Sequence, residues 1–249
     1  MKIFESHTHL DDNMFAGDLE NVIKNCRQAG IEKMINISCN ARSMFASVQL
    51  AEKYDFIYAS AGFHPHDATE LELELVRKTA FHPKVIAIGE IGLDYFRNLS
   101  PQDIQRQAFR QQLALALELD LPVIIHDRDA HEDTLSILEE YHPPKAVFHC
   151  FSGDIIMAQK IISAGWFISF TGNITYKNSK LSDIIRMVPE DRYFVETDSP
   201  YLTPHPHRGK RNDPTMLRYI IEALADIRHQ SPKIIAQQSF DNASSFFNI

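Results

Sequence analysis

Six side chains able to bind a divalent cation stand where short apolar runs end. His7 and His9 lie two residues apart after Ile3-Phe4. In an extended chain residues i and i+2 share a face, so Glu5, His7 and His9 would line one side of a strand. Neutral imidazoles suit a borderline cation such as Zn²⁺, Mn²⁺ or Ni²⁺. Glu90 closes the run 85–90, His126 the run 122–126 and His149 the run 146–149, while Asp198 follows 193–197. Six ligands exceed the three protein ligands of a mononuclear zinc hydrolase, which points to two cations. The expected arrangement has Glu90 as bridge, one oxygen toward a cation held by His7, His9 and Asp198. The other oxygen faces a cation held by His126 and His149. Mg²⁺, Mn²⁺ and Zn²⁺ are the candidates, and Glu90 and Asp198 are the expected catalytic carboxylates. Two cations about 3.5–4 Å apart lower the pKa of a shared water and clamp the attacking and leaving oxygens, which is hydrolytic chemistry. Neither a nucleophile elbow nor a phosphate-binding P-loop is present in the sequence.

These groups need a scaffold that brings several strand ends together. Eight β-like runs occur, at 2–6, 34–38, 56–62, 85–90, 122–126, 146–149, 167–170 and 193–197. Segments of helical periodicity separate most of them, at 18–29, 41–53, 104–119, 130–141, 155–164 and 178–188. Runs such as Val85 to Ile88 and Val123 to Ile125 are apolar throughout, the pattern of parallel strands buried on both faces. Eight strand-helix units in 249 residues predict an α/β fold, a TIM-type (β/α)8 barrel forming a single domain over residues 1–249. In that fold catalytic groups come from the C-terminal ends of the strands, where all six ligands fall.

Composition narrows the function. A net charge of −8 argues against a surface coated for nucleic acid, so phosphate recognition must be local. The three cysteines, Cys26, Cys39 and Cys150, are too dispersed for a disulfide scaffold. Neither a signal peptide nor an 18-residue apolar stretch is found, so the expected location is the cytoplasm, away from membranes. His64 and His66 share parity and would stand at the rim, meeting a phosphate or base, or simply exposed on a loop stiffened by Pro65. Arg128 lies two residues beyond His126 and suits bidentate phosphate contact, unless it pairs with Asp127 or Asp129. Asp94 and Tyr95 would orient a ligand or cap the next helix. Residues 205–211, which include Arg208, form the one local basic cluster, suited to an anionic strand or to solvent.

The motifs S-H-T-H-L-D at 6–11, G-F-H-P-H at 62–66, G-E-I-G-L-D-Y at 89–95, P-V-I-I-H at 122–126 with Arg128, H-C-F-S-G at 149–153, E-T-D-S-P-Y-L at 196–202 and R-G-K-R-N at 208–212 resemble, in this order, the TatD family of metal-dependent deoxyribonucleases. That family lies within the wider amidohydrolase-like barrels. The resemblance spans the chain and implies a monomeric barrel with a two-metal centre at His7, His9, Glu90, His126, His149 and Asp198, hydrolysing phosphodiester bonds of DNA. Glu5 departs from the family's usual Asp, which bears on the preferred metal. The expected activity is exonucleolytic trimming of single-stranded DNA ends, with His64, Asp94, Tyr95, Arg128 and Arg208 binding substrate. The alternative is an amidohydrolase-like enzyme acting on a small ester, lactone or amide. Many of those carry a carbamylated Lys on strand four, and no Lys occurs from Val85 to Arg97.

Overall fold

A computed structural model describes residues 1–249. Eight strands form one sheet in the order of the chain, with helices between them, the strand order of the TIM-type (β/α)8 class. Residues Met1–Ile35 with Asp154–Ile249 make one compact unit and Asn36–Gly153 a second.

The first unit opens with β1 (Ile3–Thr8), α1 (Leu19–Gln28) and β2 (Ile31–Asn36, whose last residue begins the second unit). Val22, Ile23 and Cys26 recur at helical spacing and are the buried face of α1. Gly30 stops that helix at φ +89°, and β2 begins at the next residue, three earlier than the apolar pattern predicts. The unit resumes with α6 (Ile155–Ser163), β7 (Phe167–Phe170), α7 (Ser182–Met187), β8 (Tyr193–Val195), α8 (Leu217–Arg228) and α9 (Pro232–Phe247). Strands β7 and β8 pair in parallel, and a parallel bridge between Thr8 and Ser199 joins β1 to the chain leaving β8. Aromatic rings hold α9 on these strands: Phe4 meets Phe240 and Phe247, and Phe194 meets Phe246 and Phe247. Such rings add large buried apolar area plus edge-to-face attraction.

The second unit contains α2 (Ala41–Lys53), β3 (Ile57–Ala61), α3 (Leu73–Ala80), β4 (Val85–Asp94), α4 (Gln102–Glu118), β5 (Val123–Arg128), α5 (His131–Tyr141) and β6 (Ala146–Phe148). Its strands pair in parallel, β3 to β4, β4 to β5 and β5 to β6. Every residue of β4 is buried, as a strand covered on both faces requires. That strand runs four residues beyond Glu90, so Glu90 lies inside it rather than at its end. Between Ile88 and Ile91 two residues of β4, Gly89 and Glu90, face one of β5, Ile124, a bulge. An extra residue of this kind bends the strand and re-aims its side chains.

Candidate metal centre

In the first unit, His7 and His9 leave β1 and Asp198 leaves β8. The two segments are laced by backbone bonds: Asp198 N donates to His7 O at 3.0 Å and His9 N to Ser199 O at 2.8 Å. The hydroxyls of Thr8 and Ser199 lie 2.6 Å apart. Asp198 adopts φ +56°, a left-handed conformation that Asp tolerates better than most residues. Strain of this kind persists where surrounding bonds over-determine it. The result is convergence: His7 Nε2 and His9 Nε2 are 3.3 Å apart, and Asp198 Oδ1 lies 3.7 Å and 3.4 Å from them. Donors about 2.0–2.2 Å from a tetrahedral ion are separated by roughly 3.3–3.6 Å. The three side chains therefore fit a divalent cation. Glu5 shares their strand face but is fully buried, its Oε1 accepting from Thr197 N at 3.0 Å and His7 N at 3.2 Å. Burial pushes its carboxyl well above the usual range despite those bonds.

The second unit gathers Glu90, His126, His149 and His64. Glu90 Oε1 lies 2.7 Å from His126 Nδ1, 3.1 Å from His149 Nε2 and 3.7 Å from His64 Nε2, with Glu90 only 3 % exposed. Three imidazoles around one carboxylate suit the same borderline cations. His126 is held at both ring nitrogens, since its Nε2 also lies 3.1 Å from Asp94 Oδ2. Asp94 in turn meets His66 Nε2 at 2.9 Å and accepts from Arg97 N at 2.7 Å. Burial disfavours charge on His126, but the Asp94 and Glu90 carboxylates outweigh it and raise its pKa. Burial also opposes charge on Asp94, and the bonds from His126 and Arg97 N reverse that, holding it well below the carboxylate range. Glycine makes this register possible. Gly92 takes φ +141°, and a Cβ there would stand 2.0 Å from the His126 carbonyl oxygen.

Other expected positions come out differently. His64 is not at a rim: it is 7 % exposed, beside Glu90, and burial lowers its pKa well below the ordinary value. Pro65 is the signal, because a residue before proline is pushed to extended backbone, here φ −60°, ψ 149°. Tyr95 turns its hydroxyl to Asp133 at 2.5 Å and accepts from Arg106 at 3.0 Å. Its hydroxyl is thereby engaged with side chains of α4 and α5. Arg128 is exposed and pairs with neither neighbouring aspartate; its guanidinium lies 3.9 Å over the Phe96 ring. Asp127 binds His131 and Thr134 instead. In the basic segment, Arg208 stacks 3.8 Å over Tyr176, and Arg211 is neutralised by a two-bond contact with Asp18. The anion-attracting charge there is therefore smaller than the sequence implies.

The comparisons with known proteins agree with this chemistry. Residues 4–248 match the family model described as TatD related DNase. The chain is 40 % identical to an uncharacterized metal-dependent hydrolase, YabD, of Bacillus subtilis (strain 168), over 99 % of each. It is 37 % identical to the 3'-5' ssDNA/RNA exonuclease TatD of Erwinia tasmaniensis, over 99 % of this chain and all of that one. Among solved structures, the TatD homolog YJJV of Escherichia coli K12 superposes with a TM-score of 0.94 at 32 % identity, covering 99 % of this chain and 98 % of that one. A chain of this fold with imidazole–carboxylate donor sets, matched over nearly its whole length, belongs to the TatD family of metal-dependent hydrolases.

Proposed function

We propose that this enzyme hydrolyses phosphodiester bonds of DNA, trimming single strands from an end, with two divalent cations acting on one scissile phosphate. The observation that carries the reading is the pair of donor sets, each built from imidazoles and a carboxylate at ligand spacing. His7, His9 and Asp198 would hold one cation, and His126 and His149 the other, with Glu90 shared. When bound, the cations supply an activated water and neutralise charge on the phosphate. Asp94 holds His126 in place through Nε2, as a carboxylate behind a ligating histidine fixes its ring orientation. Water adds to phosphorus, the P–O bond to the leaving sugar oxygen breaks, and that oxygen takes a proton. Arg128 and Arg208 would contact flanking phosphates through the edges of their guanidinium groups. The reading further places the enzyme in the cytoplasm as a monomer, with both units serving one catalytic domain. No helix is long and apolar enough to cross a membrane.

A net charge of −8 favours a small footprint on nucleic acid. If two or three phosphates are contacted, log affinity falls against log salt with a slope of about −1.4 to −2 for single strands. Arg128→Ala should weaken all sequences about equally, since phosphate contacts carry no base identity. The deciding assay digests end-labelled linear strands, a closed circular single strand and a p-nitrophenyl ester in Mg²⁺, Mn²⁺, Zn²⁺ or chelator. A ladder of mononucleotide steps from the linear strand, abolished by chelation, is expected. Rapid cutting of the circle would rule out end-dependence. Turnover of the ester alone would move the choice to a small-molecule hydrolase.

A further inference from the structure

We infer that Phe96 is a stacking platform for a nucleobase of the single-stranded substrate, with Arg128 reaching the phosphate beside that base. This rests on the nuclease reading above and names the part of the substrate that the loop after β4 takes. Phe96 is 59 % exposed, and the guanidinium of Arg128 lies 3.9 Å over its ring. Exposed phenyl rings are ordinary when scattered singly. Phe45 and Phe81 are more exposed, and no cation is recorded over either ring. Phe96 differs in being held. The preceding Tyr95 donates its backbone N–H to Arg128 O at 2.9 Å and its hydroxyl to Asp133 at 2.5 Å. The following Arg97 donates its backbone N–H to Asp94 Oδ1 at 2.7 Å. The backbone on either side of Phe96 is thus held while its ring stays open to solvent, so docking a flat ligand on it orders little backbone.

Its position points to the ligand. Asp94, two residues earlier, is bonded to His126 and paired in register with Arg128, which itself lies two residues past His126. The platform therefore stands beside the donor set of Glu90, His126 and His149. A guanidinium over a ring still has N–H groups to offer, and their fork matches a phosphate. With Arg128 over one face of the ring, a base would take the other, and the guanidinium N–H groups would lie close enough to meet a phosphate of the same strand. Bases in a duplex are already stacked on each other, whereas an unpaired base has a free face, so the platform selects single strands. Stacking reads no base identity, so the preference concerns strandedness rather than sequence.

The test measures kcat/KM on a short end-labelled single strand for the parent, Phe96→Ala and Phe96→Trp. It repeats these on strands carrying one abasic site at each of the three terminal nucleotides. Phe96→Ala should lose roughly ten- to a hundredfold on the intact strand, mainly through KM, while Phe96→Trp retains parental values. At one position the abasic site should cost the parent the same factor and cost Phe96→Ala nothing more. Parental kinetics in Phe96→Ala, or an abasic penalty equal in both proteins at every position, would overturn the inference. A parent that digests no single strand would overturn the nuclease reading instead.

Discussion

The donor sets of the two units use the same side-chain types and are built on opposite principles. In the first, the backbone does the positioning: β1 and the segment after β8 are tied by main-chain bonds, Asp198 accepts a left-handed conformation, and three donor atoms converge. In the second, side chains position one another, with Glu90, His126, Asp94 and His66 forming a chain of imidazoles and carboxylates. A set held by backbone tolerates loss of one side chain without disturbing the others. A buried network is different, because deleting one member leaves its neighbours' polar atoms without partners in a low-dielectric site.

The largest effects should come from the carboxylates. Glu90→Gln keeps the size and removes the charge, and turnover should fall at least a thousandfold with an unchanged circular dichroism spectrum. Asp198→Asn should cost at least a hundredfold and one equivalent of bound metal, leaving the second set loaded. Near-parental rates in a folded Glu90→Gln protein would remove Glu90 from the mechanism. Elemental analysis finding both equivalents lost in Asp198→Asn would show that the sets do not load separately.

Next in size is Gly92→Ala, whose new Cβ meets the His126 carbonyl at 2.0 Å on a backbone of φ +141°. Urea unfolding should show a loss of about 3 kcal/mol. Gly17→Ala, with open space around it, should stay within about 0.5 kcal/mol. Metal titration of Gly92→Ala should weaken one site only; equal weakening of both would contradict the independence of the first set.

A smaller difference separates two histidines in metal-free protein. His126→Ala removes the imidazole that joins Glu90 to Asp94, leaving each carboxylate only its other histidine partner, and should destabilise by about 2 kcal/mol, whereas His9→Ala, from the backbone-held set, should cost about 1 kcal/mol or less. Equal values would mean that the network contributes no stability of its own. The smallest perturbation uses the thiols. Burial pushes the Cys26 thiol far above its usual value, while Cys39 and Cys150, flanking the second set in sequence, are half-buried. Ellman's reagent should titrate two thiols in the native protein and the third only after denaturation. Added metal should slow the first two if cation binding tightens that region.

The sequence alone determined the strand and helix alternation, the fold class and the six ligand candidates. Those depend on local apolar periodicity and on residue type at the end of each run, both of which are written along the chain. The family resemblance was likewise legible in motif order. The tertiary structure decided what depends on partners distant in sequence. Glu90 is interior to β4 because pairing with β5 continues past a bulge as far as Asp94 and Arg128, which no single run of residues records. His64 is buried beside Glu90 because Pro65 straightens the chain and β3 delivers it there, although its sequence context reads as a loop. Tyr95 is committed to Asp133 and Arg106, and Arg211 to Asp18, through contacts spanning from 11 to 193 positions. Charge and hydroxyl groups can be counted in a sequence, but their availability depends on which neighbours have already taken them, and folding sets that.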